Sequence, residues 1–122
     1  MLFRSIEAKR LLKPGGVFLA VTHNRLGLVN RLLGRRSPIW DVEHLQLFCP
    51  STLARLLAKA GFEHVRVVPF ANTYPLRYWL KLAPMPNGMK QWLIRHPSKL
   101  LDLPVRLRVG NMLGVGFHKL IP

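Results

Sequence analysis

The chain has one cysteine, Cys49, so it forms no internal disulfide and offers no cysteine-based zinc framework. Acidic residues are nearly as scarce. Five Asp and Glu stand against nineteen Lys and Arg, a formal charge of +14 over 122 residues. Long apolar runs are missing as well: the longest, such as Val17 to Val21, reach about five residues where roughly 20 are needed to cross a bilayer. Residues 1–10 carry charge throughout and lack the apolar stretch of a signal peptide. With 49% hydrophobic and 20% charged residues, the composition argues against intrinsic disorder. These absences leave one strongly basic globular domain, expected to be soluble and cytoplasmic.

The cationic surplus makes a field that favours anionic partners: nucleic acid, an anionic membrane surface or an acidic small molecule. The cations are scattered, however, at Arg4, Lys9, Arg10, Lys13, Arg25, Arg31, Arg35, Arg36, Arg55, Lys59 and onward, interleaved with leucines. No run of five occurs, no zinc-finger spacing, and no aromatic signature of an RNA-binding sheet, so nucleic acid is not an expected partner. The plain reading is a solvated basic surface, or a piece of a larger protein whose acidic half lies elsewhere.

Residues 1–13 read as a helix on which Ala8, Leu11 and Leu12 share a face that Ser5 and Ile6 do not extend cleanly into the first turn. Pro14-Gly15-Gly16 ends it in a tight turn. Val17–Val21 is continuous rather than alternating, which predicts a strand buried on both faces. A short helix over 25–33 would end at Gly34. The clearest helix covers 51–60, with Leu53, Leu56, Leu57 and Ala60 at i, i+3, i+4 and i+7 and Gly61 as its left-handed stop. Pro50 suits its first turn, and Cys49 occupies the usual capping position. A second strand covers 64–70, a proline-punctuated stretch over 74–101 holds two short amphipathic helices, and 111–120 reads as the last strand. The Gly114/Gly116 pair lies inside that strand, where small residues allow close packing.

Two stretches resemble the class I S-adenosylmethionine-dependent methyltransferases, in the branch of type 11 and type 23 methyltransferase domains. Glu7-Ala8-Lys9-Arg10-Leu11-Leu12-Lys13-Pro14-Gly15-Gly16-Val17 is similar to the end of the family's fourth helix, its Leu-Lys-Pro-Gly-Gly turn and its fifth strand. Asp41-Val42-Glu43-His44-Leu45, Phe48, Thr52-Leu53 and Leu56 to Phe62 resemble the loop into the fifth helix and the turn toward strand six. Gly110-Asn111-Met112-Leu113, with Lys119, looks like the last strand. The likeness spans about 1–70 and 110–120. It implies an α/β fold: a partial Rossmann-like methyltransferase sheet, strands in the order 5-7-6 with the last antiparallel, flanked by helices. A helical insertion over 71–109 precedes the last strand within a single truncated domain.

The resemblance omits the family's cofactor half. The Gly-rich turn after the first strand and the acidic end of the second have no counterpart, so the chain looks like a carboxy-terminal portion. S-adenosylmethionine is the cofactor of the full-length family and is not expected to bind this chain alone, which is then inactive by itself. The bare fifth-strand edge invites pairing, with a complementing chain or in a homo-oligomer.

In doubly wound sheets ligands bind beyond the carboxyl ends of the strands. Thr22, His23 and Asn24 leave the first strand there, and His23 is a candidate general base for a small-molecule acceptor, with Asn24 beside it. By resemblance His44 is the stronger catalytic candidate, with Glu43 in the acceptor pocket. A metal site from His23, Glu43 and His44 matches no established ligand spacing. Tyr78 and Trp79, in a segment mixing aromatics with cations, are candidate contacts for an apolar or lipid-like acceptor. The same segment suits peripheral contact with an anionic membrane, or plain packing on the sheet. The competing function is a non-enzymatic basic binding module for membrane or nucleic acid.

Overall fold

The computed structural model describes residues 2–37, 39, 46–83, 85–95 and 98–119, without the side chain of Ile94. The chain divides into two compact units, Met1–Phe70 with Arg108–Pro122, and Ala71–Leu107. The boundaries fall inside two of the strands.

In the first unit, helix α1 (Leu2–Leu11) ends ahead of Pro14, and the Pro14-Gly15 turn delivers the chain into strand β1 (Val17–His23). Two backbone bonds tie this turn to the end of the last strand: Gly15 N–H to the His118 carbonyl (3.2 Å) and His118 N–H to that of Gly16 (2.8 Å). Helix α2 (Leu28–Leu33) follows, capped by Gly34, and then helix α3 (Pro50–Lys59). Strand β2 (Glu63–Pro75) starts after Gly61, whose φ of 89° makes the reversal that an L side chain resists. Strand β3 (Pro104–Phe117) returns through the middle, giving a three-stranded antiparallel sheet in the order β1-β3-β2. β1 pairs with β3 from Val17↔Phe117 through to His23↔Asn111.

One helix supplies the core. Leu53 and Leu57 of α3, with Ala60 at its end, pack with Phe48, Phe62 and Met112, while Phe18, Val65 and Val67 close the edges from the strands. Phe18 stacks on Phe62 with ring centroids 4.9 Å apart. The helix approaches β3 so closely that a Cβ at Gly114 would lie 2.9 Å from Leu53 Cδ2, and one at Gly116 would lie 2.7 Å from Phe62 Cβ. Close packing, as expected from the sequence, is the work of this glycine pair.

Several expectations need correction. β1 is not buried on both faces. Its burial alternates, with Phe18, Ala20 and Thr22 turned toward α3 while Val17, Leu19 and Val21 stay 45%, 62% and 55% exposed. A continuous apolar run suits a sheet covered on two sides, and here a helix covers one. On α1 the buried residue is Ser5, and Leu11 and Ile6 are exposed, so the inward face is shifted from the one the leucines suggested. Both later strands are longer than expected. β2 runs on to Pro75 and β3 begins at Pro104, because Val105-Arg106-Leu107-Arg108-Val109 alternates with the period of a strand.

The second unit holds helix α4 (Leu76–Leu82), helix α5 (Asn87–Arg95), which packs against α4, and a single 3₁₀ turn at Lys99–Asp102. Leu101 is buried, Trp79 Nε1–H donates to the Val105 carbonyl (2.8 Å), and Leu76 N–H donates to that of Leu103 (3.0 Å). Arg77 and Asp102 form an ion pair at 2.8 Å. No helix among the described residues is long and apolar enough to cross a membrane.

Candidate functional site

The carboxyl end of β1 is where the chain builds polar structure. His23 stands opposite Asn111 on β3, and its Nδ1 lies 2.6 Å from Asn111 Oδ1. A carbonyl oxygen only accepts, so in this contact the imidazole Nδ1–H donates to Asn111 Oδ1. By strand alternation this pair continues the row of Val17, Leu19 and Val21. Asn111 is 9% exposed and His23 is half-buried, so the imidazole is held by a side chain that is itself fixed.

Asn24 turns the chain out of the sheet. Its N–H donates to the Gly110 carbonyl (2.7 Å), its Oδ1 accepts from Leu26 N–H (3.0 Å), and its carbonyl accepts from Gly27 N–H (2.9 Å). The carbonyl also accepts from Asn30 Nδ2 (2.7 Å), and Asn30 Oδ1 takes the Ser37 hydroxyl proton (2.7 Å). Asn30 and Ser37 are both buried, which makes this a satisfied polar strut under the turn. Gly27 and Gly110 let the turn cross β3: a Cβ on Gly27 would come within 2.8 Å of Gly110 Cα, and Gly110 has φ 97°. Arg25 N–H donates to Phe48 O (2.8 Å), tying the turn to the segment that enters α3.

The turn and Asn111 border a cleft of about 190 Å³ lined by Asn24, Gly27, Leu28, Pro50, Val67, Val68, Pro69, Arg108, Gly110, Asn111 and Met112, with His23 beside it but not in its lining. Its wall is mostly apolar, with two asparagines and one cation. That suits a small molecule with an apolar body and a polar or anionic group.

Next to Pro50, Cys49 caps α3. Thr52 Oγ1 accepts from Cys49 N–H (2.9 Å) and donates to the Cys49 carbonyl (3.0 Å), while Cys49 Sγ lies 3.2 Å from Ser51 Oγ and 3.4 Å from Thr52 Oγ1. The Ser51 hydroxyl first, then the Thr52 hydroxyl and backbone amide, pull the thiol down to about 6, against the opposing effect of burial. A thiolate at a helix start is favoured by the helix dipole as well. The sequence placed Cys49 at the cap; nothing in it signalled the lowered pKa, which comes from hydroxyls two and three residues on.

Of the residues singled out from sequence, His23 and Asn24 sit together at this strand end. His44 and Glu43 lie outside the described residues. Tyr78 and Trp79 belong to the second unit, where they cluster with Tyr74 at centroid distances of 4.5 Å (Tyr74–Tyr78) and 5.4 Å (Tyr74–Trp79). Asn111, Asn30, Ser37, Gly110 and Arg108 were not named as site residues. Asn111 carried a signal, a lone amide in an apolar strand directly after a glycine.

The described residues do not fit S-adenosylmethionine. No carboxylate lines the cleft, and no Gly-rich turn leads from a strand into the first turn of a helix with its amides unengaged. Of the described carboxylates, Glu7 is taken by Arg10 (2.7 Å), which holds its carboxyl below the usual range, Asp102 is taken by Arg77, and Glu63 is exposed at the start of β2, outside the cleft lining. Among the described residues no cluster of three or more His, Cys, Asp or Glu is placed to hold a metal ion.

No family model matches the sequence, and no curated protein does. Among solved structures the fold is similar to that of a SAM-dependent methyltransferase from Thermotoga maritima, described as a possible histamine N-methyltransferase. The TM-score is 0.56 at 20% identity, over 97% of this chain and 48% of that one. The chain therefore spans about half the length of that neighbour, and what the two share is the methyltransferase-type fold.

Proposed function

We propose that this chain is the acceptor-side, carboxy-terminal portion of a methyltransferase. In this reading it binds a small acceptor at the end of β1, and S-adenosylmethionine is held by a second body of polypeptide. The observation that carries the reading is the sheet itself. An antiparallel β3 between β1 and β2 is the arrangement expected of strands five, seven and six, and the fold likeness extends over nearly the whole chain but under half of the neighbour. The unsatisfied parts of the sheet agree. β1 is an edge strand, and Val17, Leu19 and Val21 on its outer face are about half exposed, leaving roughly 3 kcal/mol of apolar burial unrealised in those three residues. A complementing chain that pairs with this edge and packs on this face would recover it.

The chemistry assigned to this chain is positioning and proton transfer. His23, oriented by Asn111, serves as the proton acceptor for an acceptor hydroxyl or amine, and Arg108 and the cleft asparagines orient the acceptor. His44 and Glu43 stay in this proposal as further acceptor-side residues on the strength of the resemblance. An NMR titration of the chain with histamine, a simple phenol and octanoate tests the acceptor site. Shifts confined to the Met112 methyl, the Asn24 and Asn111 side-chain amides and the His23 ring are expected for at least one probe. Silence with all three would remove the site.

A further inference from the structure

The Ala71–Leu107 unit has a surface the acceptor reading does not use. Its cations are Arg77, Lys81, Lys90, Arg95, Lys99 and Arg106, and its one acid, Asp102, is spent on Arg77. Beside these charges it leaves large apolar side chains in solvent: Trp92 is 60% exposed, Leu100 68%, and Met89, Leu82 and Tyr78 between 42% and 48%.

The spacing puts the two kinds of side chain together. On α4, Tyr78, Lys81 and Leu82 stand at i, i+3 and i+4, all exposed. On α5, Gly88, Gln91, Trp92 and Arg95 stand at i, i+3, i+4 and i+7 and line one open hollow of about 280 Å³, with Met89 exposed one turn before Trp92. Each helix thus offers an aromatic ring, an aliphatic or thioether group and a cation on its exposed surface.

Aromatic rings sit well at the level of lipid headgroups, where one end is apolar and the other wet, and lysine and arginine pair with anionic headgroups above them. A soluble protein partner would also cover apolar groups. A surface whose free charges are all of one sign, arrayed around exposed aromatic and aliphatic side chains, fits a flat sheet of anions over hydrocarbon better. The geometry points to peripheral docking of this unit on an anionic lipid bilayer, with Trp92 of α5 entering the headgroup region and Lys81, Arg95 and Lys99 contacting the lipid charges. The inference stands on this unit alone, independent of whether the chain serves a methyltransferase.

The test is co-sedimentation of the full chain with vesicles of phosphatidylcholine alone and with about one third phosphatidylserine. Binding to the anionic vesicles is expected to exceed binding to the neutral ones by at least about tenfold, and to weaken with added salt. Trp92→Ala should lower it by about tenfold through lost apolar burial. Lys81→Gln and Arg95→Gln should each lower it by about fivefold. Brominated lipid should quench tryptophan emission in the parent chain and much less in Trp92→Ala. Because the whole chain is cationic, Lys13→Gln and Lys59→Gln are the matched controls, expected to stay within about twofold of the parent. Equal binding to both vesicle types, equal losses in the control variants, an unchanged Trp92→Ala, or tighter binding to soluble heparin than to vesicles would each overturn the proposal.

Discussion

The two faces of the β1–β3 ladder are written in the same alphabet and end differently. Toward α3, Phe18 and Ala20 face Gly116 and Gly114, and the glycines draw the helix down until Leu53, Leu57 and Phe62 fill the space. On the other face Val17, Leu19 and Val21 stand beside Phe117, Val115 and Leu113, and the three on β1 remain about half exposed. Apolar character alone does not separate the faces, since both are largely apolar. Size does. One face sets glycines opposite Phe18 and Ala20 so that a helix can seat, while the other is uniformly bulky and stays open. The polar row at the strand end, His23 with Asn111, belongs by alternation to that second face.

The largest expected effect lies on the covered face. Leu57 is 1% exposed at the centre of the core, and Leu57→Ala should cost about 3 kcal/mol in a denaturant titration. Gly114→Val should follow at about 2 kcal/mol, because its Cβ alone would press on Leu53 and Leu57. A small loss at either position would mean that α3 does not seat on β3 as described.

The cap of the covering helix adds a pH dependence. Cys49 titrates near 6 in the folded chain and near about 8.5 when unfolded, so between these values the unfolded state holds the proton that the folded state has released. Its contribution to stability is fully present above the unfolded value and is lost as pH falls through 6. Melting temperatures of the parent should therefore rise relative to Cys49→Ser between pH 6 and 9, and converge below 6. Parallel curves across that range would show that the thiol is not held as thiolate.

On the bare face the expected change is smallest. Leu19→Lys should alter stability by less than about 0.5 kcal/mol, because the side chain it replaces is already 62% in solvent. The same substitution on a face that carried core packing would cost several times more, so this variant read beside Leu57→Ala measures the asymmetry between the faces.

How much of this was readable in advance follows from the physics of each element. α3 was legible because Leu53, Leu57 and Ala60 repeat at the helical period and Gly61 needs its positive φ. β1 was legible as a strand but not in its burial, since a continuous apolar run says what could be covered and not whether a covering layer is present. The first part of β3 was hidden by Arg106 and Arg108, although Val105, Leu107 and Val109 alternate with them at the period of a strand. The Asn24–Asn30–Ser37 strut was hidden because its partners are six and seven residues apart across a turn, a spacing no helical or strand period marks. His23 and Asn24 were found through the general rule that sites lie at the carboxyl ends of strands. Asn111 comes from a strand 88 residues away, and only the β1–β3 register makes it a neighbour of His23.

The central claim is that this sheet is the acceptor side of an enzyme whose cofactor is held elsewhere. Titration calorimetry of the purified chain with S-adenosylmethionine tests it most directly. The account predicts no saturable heat up to about millimolar ligand, because among the described residues no carboxylate lines the cleft to receive the ribose. Saturable binding at micromolar concentration by the isolated chain would contradict it.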